Sequence, residues 1–176
     1  MGKTRIPQPV KLVVGFIFRD DPVFLKAKKL LQRRFGALDF ESAPFAFMHT
    51  GYYAEEFGSN LMRRFISFKK LIPPQDLAKI KIMTNKIEGA LTRNGRRLIN
   101  IDPGYLDAAK LVLASTKDYR HRIYLDRGIY AEITIFYQAK SFRAWEWTYP
   151  DYRSQEYIEI FNCLRGLYVS RIQENK

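Results

Sequence analysis

A chain of 176 residues, 47% of them hydrophobic and 15% aromatic, is long enough to bury one sizeable core, and its lack of low-complexity tracts excludes an intrinsically disordered protein. Thirty Lys and Arg against eighteen Asp and Glu leave a net charge of +12, which favours nucleic-acid or phosphorylated partners, though basic residues spread along a chain also serve solubility. One cysteine and two histidines exclude a disulfide framework and a transition-metal motif within the chain, so neither metal nor cofactor is expected.

Residues 10–18 form an almost unbroken apolar run, short enough for a central strand, and Asp20-Asp21-Pro22 then supplies a helix cap and a first-turn proline. In that helix Val23, Phe24, Ala27, Leu30, Leu31 and Phe35 share one face, Gly36 stops it, and Lys26, Lys29 and Arg33 face water. Residues 39–48 read as an edge or bulged strand, because Pro44 has no N–H to give a ladder. A loop rich in glycine and tyrosine, 49–59, holds His49 and leads to a strand over 61–71. Pro73-Pro74 opens a second helix with Leu77, Ile80, Met83, Ile87 and Leu91 on one face, ending at Asn94-Gly95. A fourth strand, 97–102, is expected to close at Pro103-Gly104.

That order predicts an α+β fold built on a ferredoxin-like βαββαβ sandwich over about 10–102, with both helices on one face of an antiparallel sheet. The extension over about 103–176 begins with a stretch, 106–116, that fits helix or strand. It continues with a hairpin (120–138), a further strand (142–149) and a long terminal helix (152–172), all within a single domain. Cys163 is expected to be buried among Ile160, Phe161, Leu164 and Leu167. No run approaches about 18 apolar residues and the basic N-terminus lacks an apolar signal core, so a cytoplasmic protein with no membrane partner is expected.

The polar residues between 100 and 132 stand out because they interrupt apolar runs. Alternation along 129–136 puts Ile129, Ala131, Ile133 and Ile135 on one face and Tyr130, Glu132, Thr134 and Phe136 on the other. A three-residue turn, Asp126-Arg127-Gly128, then pairs Ile123 with Ala131, Arg122 with Glu132 and Tyr124 with Tyr130. The result is either a ligand-holding polar face or an ordinary exposed salt bridge. His121 falls with Ile123 and Leu125 on the opposite, apolar face. Asp102 and Asp107 read as turn or cap residues, and Asp102 and Lys117 complete the candidate ligand set with His121, Arg122, Tyr124, Tyr130 and Glu132. Trp145, Trp147 and Tyr149 form an aromatic strand face, read as core or as the surface of a homo-oligomer.

A second candidate lies on the third strand, where Arg63, Phe65 and Lys69 share the face of the sheet away from the two helices. With Lys11 and Arg19 they would make a basic platform with an exposed aromatic, suited to stacking nucleic acid. Phe65-Ile66-Ser67-Phe68 matches only the end of the RNA-recognition-motif signature. Gly2-Lys3-Thr4 lacks the preceding glycine and strand of a P-loop, and Thr116-Lys117-Asp118 lacks the spacing of a guanine-recognition motif.

The chain resembles domain-of-unknown-function family 4416, small bacterial and archaeal proteins of about this length. The resemblance rests on Arg64-Phe65-Ile66-Ser67-Phe68, Thr84-Asn85 with Glu88, Asn100-Ile101-Asp102-Pro103-Gly104-Tyr105-Leu106, residues 110–117, His121-Arg122-Ile123-Tyr124-Leu125 and Gly128-Ile129-Tyr130-Ala131-Glu132. It implies no catalytic residues. The expected function is therefore binding of a phosphorylated or nucleic-acid ligand, with Arg63, Lys117 and Arg122 as cationic contacts. The alternatives are an enzyme on a small anionic substrate, with His121 or Glu132 as base and Asp102 as partner, or a homo-oligomeric scaffold.

Overall fold

The structure, a computed structural model, describes residues 2–47 and 60–174; His49 and its loop lie outside them. Among the described residues nine strands and three α-helices follow in the order β1 (Lys11–Phe18), α1 (Asp21–Phe35), β2 (Leu38–Glu41), β3 (Phe45–Ala46), β4 (Met62–Phe68), α2 (Leu77–Ala90), β5 (Ile99–Leu106), β6 (Lys110–Ser115), β7 (Ile123–Asp126), β8 (Ile129–Gln138), β9 (Ser141–Ala144) and α3 (Gln155–Glu174). One antiparallel sheet runs β2-β4-β1-β5-β6-β8-β7, with β3 also on β4 and β9 also on β8. The fold is thus α+β, and its sheet continues past the strands β1 to β5 of the first half. The stretch that fitted helix or strand is β6. Among the described residues no helix is long and apolar enough to cross a membrane.

Both faces of the sheet are covered, which is why β1 is buried along its whole length. On one face Leu12, Val14, Phe16 and Phe18 pack with Phe24, Ala27 and Leu31 of α1 and Ile80 of α2. On the other, Tyr157, Phe161, Leu164 and Tyr168, spaced by three and four along α3, close over Val13, Phe65, Leu111, Ile135 and Phe142. Cys163 falls off that stripe and is exposed, not buried. The face expected to be open for nucleic acid therefore lies under α3. Arg63 and Phe65 are each 1% exposed and Lys11 is fully buried, while Lys69 stands apart from them, exposed beyond the end of β4. Alternation identified the face correctly; it carried no information about the helix, about ninety residues further on, that covers it.

Three further expectations change. β5 does not close at Pro103-Gly104 but runs through both to Leu106. The expected strand over 142–149 ends at Ala144, after which Trp145 and Trp147 stack on each other in a turn, half-buried. In the hairpin, Ile123 pairs with Ala131 and Tyr124 with Tyr130 as expected, but a bulge at Leu125 sets Asp126 opposite Ile129. The turn is then Arg127-Gly128, both at positive φ (50° and 75°), the two-residue geometry whose twist suits a hairpin.

Candidate functional site

The site arises from a split in the sheet. β1 follows β5 from Ile99 to Leu106, whereas β6 joins β5 only at Gly104↔Leu113, Tyr105↔Val112 and Leu106↔Leu111. Beyond Leu113, β6 stays with β8, and the edge of β5 over residues 99–103 faces no strand. Buried backbone groups there still need partners, and at Ile101 α2 provides both. Lys81 Nζ donates to the Ile101 carbonyl at 2.9 Å, and Glu88 Oε1 accepts the Ile101 N–H at 2.7 Å. Pro103, two residues along the same edge, has no N–H to satisfy, which is how a proline fits inside this strand. Gly104 marks where the strands rejoin: a Cβ there would lie 2.5 Å from the Val112 carbonyl oxygen.

The split opens into a cleft of about 520 Å³, within the range of small-molecule sites. Its wall from β5 and α2 carries Lys81, Asn85, Glu88, Asn100 and Asp102. The opposite wall carries Lys117, Tyr119, Arg122 and Glu132, and Arg63, Asp151 and Tyr152 line the cleft as well. Five basic side chains (Arg63, Lys81, Arg97, Lys117, Arg122) and four acidic ones (Glu88, Asp102, Glu132, Asp151) make this lining almost neutral. The chain's +12 is therefore carried elsewhere.

Arg63 is the most unusual of these groups. Its side chain is 1% exposed, and its guanidinium lies 4.8 Å from the centre of the Phe65 ring, 5.3 Å from Tyr152 and 5.7 Å from Tyr157. Nη2 donates to the Tyr152 hydroxyl at 2.6 Å and Nε is buried without a partner. Its two carboxylate neighbours stand beyond hydrogen-bond range, Asp102 at 3.7 Å and Asp151 at 3.9 Å. Burial disfavours the charge, yet Tyr152, Tyr157, Asp151 and Asp102 together hold the Arg63 pKa above the ordinary arginine value. Burial likewise raises the Tyr152 phenol well above its usual value, leaving a neutral hydroxyl beside the cation. Gly15 makes room for this arrangement, since a Cβ on it would lie 3.0 Å from Phe65 and 3.2 Å from Arg63 Nη2.

Asp102 is held loosely. Oδ2 accepts from Asn100 Nδ2 at 2.6 Å, while Lys81 Nζ stands 3.6 Å from Oδ1, and the side chain is 26% exposed. Glu88 is held tightly, accepting from Arg97 Nη1 at 2.9 Å as well as from Ile101. Burial pushes its carboxyl above the ordinary carboxylate range against the pull of Lys81, the Ile101 N–H and Arg97.

The Arg122–Glu132 pair exists, but it is buried, each side chain 2% exposed, with Nε donating at 2.7 Å. Arg122 also donates to the Ser115 hydroxyl (2.8 Å), the Lys117 carbonyl (3.0 Å) and the Tyr149 hydroxyl (2.8 Å), and lies over Tyr119. Burial opposes its charge, but the bond to Glu132 raises its pKa. So engaged, Arg122 fastens the cleft wall over 115–122 in place and has little left to offer a ligand.

His121 corrects a further expectation. It does not point away with Ile123: Nε2 lies 3.2 Å from Glu132 Oε2, and the ring stacks on Trp147 at 5.8 Å. β7 begins only at Ile123, and residues 119–122 form a turn closed by Arg122 N to Tyr119 O (2.8 Å), so the alternation does not reach back to His121. The expected single face over 129–135 is likewise broken by a bulge at Thr134, which sends Ile135 to the α3 side and leaves Ile133 39% exposed. Glu132 also accepts from Thr134 Oγ1 at 3.2 Å, so its carboxylate is occupied from three sides.

Of the expected ligand residues, Asp102, Lys117, Arg122 and Glu132 line one cleft, and Arg63 joins them from the other candidate set. His121 sits behind Glu132. Tyr124 and Tyr130 pack edge to face on the hairpin, outside the lining. Lys81, Asn85, Glu88, Arg97, Tyr149, Asp151 and Tyr152 were not anticipated. The signal for three of them is the spacing 81, 85, 88, a polar stripe along a helix whose neighbouring stripe is apolar. Among the described residues no group of three His, Cys, Asp or Glu side chains could hold a metal ion. Comparison with curated proteins and with solved structures gave no match. The family model described as "Domain of unknown function (DUF4416)" matches residues 8–168, nearly the whole chain, and the chain belongs to that family.

Proposed function

We propose that the protein binds a small anionic, phosphorylated ligand in the cleft between β5 and β6. The observation that carries this reading is Arg63: a fully buried cation lining a cleft, with one hydrogen bond to a neutral phenol and none to a carboxylate. Its neighbours keep Arg63 charged, but its buried Nε and its Nη1 make no hydrogen bond; buried donors left unmet are costly, and an anion entering the cleft would supply acceptors. Lys81 and Lys117 would add positive charge nearby. Extended nucleic acid suits the site less well, because the platform of Arg63 and Phe65 is under α3. We further read residues 10–102, with strand order β2-β4-β1-β5, as a ferredoxin-like unit within a single cytoplasmic domain.

An enzyme acting on the same ligand is a second reading, supported by the position of Asp102 between Lys81 and Arg63. In that reading Asp102, not His121 or Glu132, is the base, since it alone of the three is both in the lining and only loosely bonded. The test of binding is calorimetry with inorganic phosphate and a panel of phosphate esters on the wild-type protein and on Arg63→Lys and Arg63→Met. Binding that weakens at least tenfold in Arg63→Met is the expected result; no binding of any anion, or equal binding by all three proteins, overturns the reading.

A further inference from the structure

The cleft places open donors and an open acceptor side by side, and that pairing restricts the chemistry of what fits. Resting on the reading that an anion enters the cleft, we infer that its ligand is a polyhydroxylated compound carrying one anionic group, as in a sugar phosphate or a sugar acid, with Asp102 receiving its hydroxyls. An ionised carboxylate offers about four acceptor positions. Asp102 uses one, for Asn100, and its Oδ1 receives no hydrogen bond. The donor that completes it must be neutral, because Lys81 at 3.6 Å and Arg63 at 3.7 Å already surround the carboxylate with positive charge and would repel an ammonium group. A hydroxyl meets that requirement and an amine does not.

The anionic group belongs on Arg63, whose Nη1 makes no hydrogen bond and whose nearest carboxylate oxygen from that atom is 3.7 Å away. A surplus of one positive charge among the lining side chains, five against four, suits a ligand bearing a single anionic group better than a polyphosphate. An aromatic base is disfavoured by the state of the rings. Arg122 lies 4.5 Å over Tyr119, Arg63 lies 5.9 Å from the centre of the Phe47 ring, Tyr152 is stacked on Phe161 at 5.7 Å, and the Tyr149 hydroxyl is fixed by Arg122. The hydroxyls and the anion are also adjacent, since Asp102 and Arg63 are neighbours across β1.

The experiment is calorimetric titration of the full chain with inorganic phosphate, ribose phosphate, deoxyribose phosphate, gluconate, free ribose and adenosine monophosphate, for the wild-type protein and Asp102→Asn. Expected is tighter binding of ribose phosphate or gluconate than of inorganic phosphate by about tenfold or more, the worth of one charge-assisted hydrogen bond. Whichever of the two binds tighter identifies the anion as phosphate or carboxylate. Asp102→Asn should lose that preference, the sugar compounds then binding no tighter than inorganic phosphate; a merely structural role would weaken all of them in proportion and keep the preference. Deoxyribose phosphate makes the same test from the ligand side without altering the protein. The inference is overturned if adenosine monophosphate outbinds every sugar compound, or if removing hydroxyls changes nothing while inorganic phosphate still binds. Should no anion bind, inorganic phosphate included, the proposed function falls with it.

Discussion

Replacing Glu88 tests how the cleft is held open. Glu88 is 4% exposed and takes the Ile101 N–H that a neighbouring strand would otherwise accept. Glu88→Ala leaves that N–H buried and unpartnered, at about 1–3 kcal/mol. It also removes the acceptor that Glu88 offers the half-buried Arg97, for up to about 1 kcal/mol more, so the expected loss is about 1–4 kcal/mol by urea denaturation, with faster hydrogen exchange at the Ile101 amide. Glu88→Gln keeps an acceptor oxygen and should lose much less. The two also separate with pH. A buried acid whose folded pKa is raised above its ordinary 4.5 binds its proton more tightly when folded. Its contribution is therefore favourable at low pH and is lost as pH rises from about 4.5 through the folded value. Glu88→Gln, which cannot ionise, should gain on the wild type across that interval. If Glu88→Ala lies within about 0.5 kcal/mol of the wild type, or Glu88→Gln is equally destabilised, then α2 does not stand in for a strand.

Gly104→Ala should destabilise by about 1–3 kcal/mol or more in thermal melts, because the new Cβ meets a backbone oxygen at 2.5 Å that cannot turn aside. Gly15→Ala meets side chains instead, Phe65 and Arg63, so it should weaken binding of inorganic phosphate with a smaller change in melting temperature. Glu132→Gln leaves the buried Arg122 without its counter-charge and is expected to cost about 3–5 kcal/mol by chemical denaturation. His121→Gln, removing the longer and more exposed contact to the same carboxylate, should cost about 1 kcal/mol or less.

Much of the first half was legible because period and punctuation agree there: the apolar run of β1, the proline and glycine that bound α1, and the alternating face of β4. Where local rules failed, distant chain supplied the missing term. Pro103-Gly104 reads as a stop, yet the strand continues because the split leaves the edge at Pro103 unpaired and Gly104 admits the backbone of β6. Arg63 and Phe65 read as a surface until α3 covers them. At His121 the alternation was carried two residues past the true start of β7. Within the site, Asp102, Lys117, Arg122 and Glu132 were visible as polar residues interrupting apolar runs. The polar stripe of α2 was not, because in sequence it resembles the solvated side of an amphipathic helix.

A crystal structure of the protein grown with ribose phosphate or gluconate tests most directly whether Arg63 and Asp102 face a ligand together. The anionic group is expected within hydrogen-bond distance of Arg63, with a hydroxyl on Asp102. An empty cleft, with the anion held instead by exposed basic residues such as Lys26 and Lys29 on α1, would contradict it.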